Sequence, residues 1–74
     1  MARVDSFIQR RIERPSKHQA IEATYSIVEV DGERLLQIDT FGSANRQIPG
    51  KVSQSLQFGP EGIQALRDIL EQLD

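Results

Sequence analysis

Residues 24–41, TYSIVEVDGERLLQIDTF, constrain this chain more than any other stretch. Two runs rich in β-branched and aromatic residues flank Asp31-Gly32, and a two-residue Asp-Gly connection is a strong short-range signal for a tight β-hairpin. The chain must therefore build a sheet around residues 23–41. Alternation along the two runs is imperfect. Val28, Val30, Leu36 and Ile38 form one candidate inner set, while Tyr25, Ile27, Leu35 and Phe41 also need cover. Such two-sided apolarity predicts a helix on one face of the sheet, with another subunit or the N-terminal segment on the other.

Downstream, GSANRQIPGK (residues 42–51) is too long for a tight hairpin and predicts a wide turn or projecting loop. Val52 to Phe58 then alternates: Val52, Leu56 and Phe58 share one parity with only Gln54 interrupting, and Ser53, Ser55 and Gln57 occupy the other. This period predicts a strand with one buried face and one wet face. Gly59 and Pro60 open a helix, since proline suits the first helical position and Glu61 favours the positive end of the helix dipole. Ile63, Leu66, Ile69, Leu70 and Leu73 form its apolar stripe.

The N-terminal stretch is ambiguous. Val4, Phe7, Ile8 and Ile12 fit a helical stripe, Val4, Ile8 and Ile12 also fit a strand, and Ser6 with Gln9 resembles a capping box that favours helix. Pro15 follows and disfavours helical geometry at Arg14, so residues 14–20 read as a linker. The expected fold is α+β: a small antiparallel β-sheet backed by a C-terminal amphipathic α-helix, with an N-terminal helix or strand. One domain spans residues 1–74, comprising a basic N-terminal segment over 1–20 and a β-β-β-α body over 21–74.

At 74 residues a single core is only marginally self-sufficient, and the chain has no cysteine to staple it. Exceptionally good packing or oligomerisation must supply the rest, and a homodimer is the commonest symmetric solution. No apolar run approaches the roughly 20 residues of a membrane span, and no signal-peptide core is present, so a soluble cytoplasmic protein is expected. The net charge of −2 divides unevenly, into +3 over residues 1–20 and −5 over residues 21–74. A basic segment ahead of an acidic body suggests a charge-sensitive contact surface.

Catalytic chemistry finds little material. His18 is the only histidine and lies in the linker, where it reads as a solvated residue. Asp31 is explained by the turn, and Glu33 and Asp39 by exposed or edge positions. Gly42, Gly50, Gly59 and Gly62 do not have phosphate-loop spacing. A non-enzyme without metal or cofactor is therefore expected.

A binding surface is easier to assemble. Single strands are held by cations that follow the phosphates, by polar groups that hydrogen-bond backbone or bases, and by stacking aromatic rings. Arg46 and Lys51 are the candidate phosphate contacts, and Ser53, Ser55 and Gln57 the polar partners on the wet face. Tyr25 and Phe41 are the candidate stacking residues. Arg10, Arg11 and Lys17 would form an auxiliary basic arm. Each feature also has a plainer explanation, since loop cations confer solubility and a Ser/Gln alternation is ordinary solvent-facing polarity.

Order along the chain adds a further observation. A strand ending at Asp31-Gly32, the Leu36-Gln37-Ile38-Asp39 strand, the Pro49-Gly50-Lys51 loop, Ser55-Leu56, and Pro60-Glu61 opening a helix with inner Leu66 follow one another. In that order they resemble the single-stranded-DNA-binding domain of the PC4 (p15) family of transcriptional coactivators. The resemblance spans Tyr25 to Leu70, about three fifths of the chain. It implies a curved antiparallel sheet backed by the helix, dimerisation through the helices and single-strand binding along the sheet. Within it, Lys51 and its neighbours Arg46, Ser53 and Ser55 inherit nucleic-acid contacts. The chain departs from the family in a longer stretch between Leu56 and Pro60, in Gly62 where the family has a bulky aromatic, and in low basic density.

Two function classes follow. The first is a non-catalytic, homodimeric nucleic-acid-binding protein preferring single strands, single-stranded DNA foremost, acting in transcription or DNA maintenance. The second is a small protein–protein interaction or regulatory module using the sheet face or a strand edge for β-augmentation. The surplus of carboxylates favours the second, and the loop and polar strand favour the first.

Overall fold

The computed structural model describes residues 1–41 and 52–74. Four strands, β1 (Ala2–Val4), β2 (Ala23–Val30), β3 (Glu33–Phe41) and β4 (Val52–Phe58), precede one helix, α1 (Pro60–Glu71). They form an α+β fold with a single mixed sheet in the order β1-β4-β3-β2. The β2–β3 and β3–β4 pairs are antiparallel, whereas β1 joins β4 in parallel.

The hairpin expected at Asp31-Gly32 is present, with φ of 52° at Asp31 and 79° at Gly32. Positive φ at both central residues defines the turn whose twist matches its flanking strands, and it fixes Val30 opposite Glu33. This register corrects the grouping read from alternation alone. Leu36 faces Ile27 and Ile38 faces Tyr25, while Val28 faces Leu35. The apolar side of the sheet therefore carries Tyr25, Ile27, Leu36, Ile38, Leu56 and Phe58, with Val28 and Leu35 on the opposite side. A register irregularity between Thr40 and Phe41 lets Phe41 pair with Val52 and displaces Val52 from the simple alternation.

Helix α1 begins as expected: Pro60 supplies the first turn, Glu61 is its acidic residue, and the Ile63 N–H donates to the Gly59 carbonyl at 2.8 Å. The helix packs against β3 and β4. Gly62 is buried there, and a Cβ at this position would collide with the backbone carbonyl of Val4. The end of β1 occupies the space in which a large side chain would otherwise sit.

Residues 5–22 contain no helix or strand, and all are exposed. The helix favoured by the Ser6–Gln9 spacing is absent. A helix over residues 4–12 would be short and marginal in water, whereas Val4 pairs with Phe58 in the sheet and Phe7 stacks on the Phe58 ring at 6.2 Å between centroids. Because β1 and β2 lie at opposite edges, residues 5–22 form a strap that links one edge of the sheet to the other. Phe7 starts the strap on the Phe58 side, where Phe7, Ile8 and Gln9 line a cavity with Ile69 and Gln72. The start of the strap and the helix thus share the apolar side. Cover there is incomplete: among the described residues Phe58 is the one buried apolar side chain of that side and Leu56 stays 42% exposed, while Leu35, the other buried apolar residue, lies on the opposite side.

Candidate nucleic-acid interface

The side of the sheet opposite Phe58 carries Val28 and Leu35 towards the hairpin turn and is polar beyond them. Gln37 on β3 faces Ser26 on β2 and Gln57 on β4, and Arg3 of β1 lies beside Gln57. Asp39 faces Thr24 on one side and Ser55 on the other. Alternation along each strand brings these residues to one side, so two transverse polar rows cross the sheet.

Side-chain hydrogen bonds tie the rows together. Gln57 Nε2 donates to Gln37 Oε1 at 2.9 Å, Gln37 Nε2 donates to both Asp39 carboxylate oxygens at 3.2 Å, and Ser55 Oγ donates to Asp39 Oδ1 at 2.6 Å. The carboxylate orients both neighbouring donors, and bonds to a charged acceptor are shorter and stronger than neutral ones. Asp39, read from sequence as exposed or at an edge, is a half-buried hub on an inner strand.

This network also corrects the expected wet face. Ser53 is exposed, but Ser55 is only 9% exposed and already bonded, and Gln57 is half-buried. A shallow cavity of about 240 Å³ opens on this side, lined by Met1, Ala2, Arg3, Gln37, Ser55 and Gln57. No residue of α1 lines it. The sheet therefore offers the amides of Gln37 and Gln57, with the exposed hydroxyls of Thr24 and Ser26, to anything laid across it.

The expected cations are distributed differently. Arg46 and Lys51 lie outside the described residues, as does the Pro49-Gly50 loop. Arg10 and Arg11 follow directly on Gln9 in the strap, and neither they nor Lys17 line the polar cavity. All three are exposed. The cation that the structure does place beside the polar rows is Arg3, which also pairs with Asp5 at 3.3 Å and which sequence reasoning passed over. Its signal was absent from the local pattern, because only the parallel pairing of β1 with β4 brings it there. Gln37, Ser26 and Thr24 were legible in principle from strand parity. Of the stacking candidates, Tyr25 projects from the apolar side opposite Ile38, and Phe41 lies at the far end of β3.

Compared with known proteins, the chain matches no family model, no curated protein and no solved structure.

Proposed function

We propose that this chain is a non-catalytic nucleic-acid-binding protein that prefers single strands, of the kind its resemblance to the PC4 family implies, acting in transcription or DNA maintenance. The observation that carries this reading is the open polar side of the sheet, where Ser26, Gln37 and Gln57 form one row and Thr24, Asp39 and Ser55 the other. An unpaired strand presents base edges that both donate and accept, and a glutamine amide matches either. Asp39 repels phosphate, so bases face the centre of the sheet and phosphates run towards its rim. Arg3 supplies one rim cation, and Arg46 and Lys51 are assigned the same role from the sequence.

Fluorescence anisotropy of labelled oligothymidine with micromolar protein tests this reading. Binding at low salt that weakens as salt rises supports it, because phosphate contacts release counterions. No anisotropy change at low salt refutes it.

The protein-interaction reading is favoured by a separate observation: Tyr25 and Ile27 on the outer strand β2 are 75% and 61% exposed. A partner bound there would leave the polar rows free. Oligothymidine binding that survives Tyr25→Ala would separate the two surfaces.

A further inference from the structure

We propose that the outer edge of β2 pairs with the same edge of a second copy of this chain, antiparallel and centred on Ser26, fusing the two sheets into one. The turn geometry specifies which backbone groups are available. In a two-residue hairpin the residues flanking the turn exchange hydrogen bonds, so Val30, Val28, Ser26 and Thr24 bond to β3. Glu29, Ile27, Tyr25 and Ala23 therefore turn their N–H and C=O groups outward. Among the described residues, no backbone hydrogen bond from outside the sheet reaches β2.

Such an edge is normally protected by lysine, proline, a bulge or covering chain. Strand β2 has 8 residues, contains neither lysine nor proline, and lies away from the irregularity between β3 and β4. The opposite edge, β1, is only 3 residues long. The side chains of β2 also leave room for an occupant: Tyr25 and Ile27 are 75% and 61% exposed.

A second copy fits this edge because the strand is self-complementary. Centring on Ser26 places Tyr25 opposite Ile27 of the other copy, twice by symmetry, an aromatic–β-branched cross-strand pair. Thr24 then meets Val28 and Ala23 meets Glu29, so no like charges oppose. A two-fold axis perpendicular to the sheet keeps both polar sides facing the same way, and the Ser26–Gln37–Gln57 row continues through its counterpart. The inference goes beyond nucleic-acid binding and does not depend on it, since it is read from mass without nucleic acid.

Light scattering on the full chain at micromolar concentration tests the pairing, with circular dichroism to check folding. The wild type is expected at twice the 8.4 kDa chain mass. Ile27→Pro removes an outward N–H without touching the β2–β3 ladder, and Ile27→Lys adds an edge charge while keeping every backbone donor. Each is expected to stay folded and to raise the dimer dissociation constant by about tenfold or more. If Ile27→Pro unfolds, Ile27→Lys decides. A monomeric wild type would overturn the proposal. So would a dimer that persists in folded Ile27→Lys but dissociates in Leu73→Lys, which would place the second copy on the helix.

Discussion

Ser55 on β4 and Asp39 on β3 are directly opposed in register and joined by a 2.6 Å hydrogen bond from the serine hydroxyl to the carboxylate. That contact explains why a serine is among the most buried residues of so open a chain. It also makes the polar side of the sheet a connected structure, because Gln37 and Gln57 are oriented through the same carboxylate.

Removing the hydroxyl should therefore be felt in stability. Ser55→Ala leaves Asp39 without its shortest donor, and a loss of about 1–2 kcal/mol is expected for a hydrogen bond to a charged group in a half-buried setting. Urea denaturation followed by circular dichroism measures this. An unchanged midpoint would mean that the bond contributes nothing and that the rows are not coupled through Asp39.

On the proposed reading, the same carboxylate opposes nucleic-acid binding. Asp39→Asn keeps the shape and an acceptor oxygen but removes a negative charge from the middle of the proposed surface. Affinity for oligothymidine should rise by about threefold to tenfold, the effect of one charge several ångströms from phosphate at intermediate dielectric. Binding that is unchanged or weaker in a folded variant would argue against a strand passing over Asp39.

Gly62 offers a test of how β1 is seated. A methyl group there meets the Val4 carbonyl, which is backbone and cannot rotate away. Gly62→Ala should destabilise by about 1–3 kcal/mol, in the range of overpacking, despite the better helix propensity of alanine. A stabilising effect would mean that β1 does not lie against the helix.

The hairpin, β4 and α1 were legible because each carries its own period and punctuation: Asp31-Gly32 between β-branched runs, Ser/Gln alternation, and Gly59-Pro60 before a helical stripe. Strand β1 was not, because its residues take their conformation from parallel pairing with β4 and leave no local signature. For the same reason Arg3 escaped notice while the louder Arg10-Arg11 pair drew attention. Strand parity showed that Ser55 and Gln57 share a side, but not that Asp39 and Gln37 wait opposite them, since register is a non-local property.

The two loop cations assigned from the sequence make their own prediction. Arg46→Ala combined with Lys51→Ala should weaken oligothymidine binding and flatten its salt dependence by about two phosphate contacts, leaving the oligomer unchanged. Equal affinity and slope in wild type and variant would remove both residues from the interface.

Whether a single strand lies on the polar side of the sheet is read residue by residue by nuclear magnetic resonance. On titrating ¹⁵N-labelled protein with oligothymidine, the side-chain amides of Gln37 and Gln57 and the backbone amides of Ser26 and Ser55 should shift together and saturably, while Phe7 and Ile69 stay put. Shifts confined to the strap and helix, or none at all, would contradict the account.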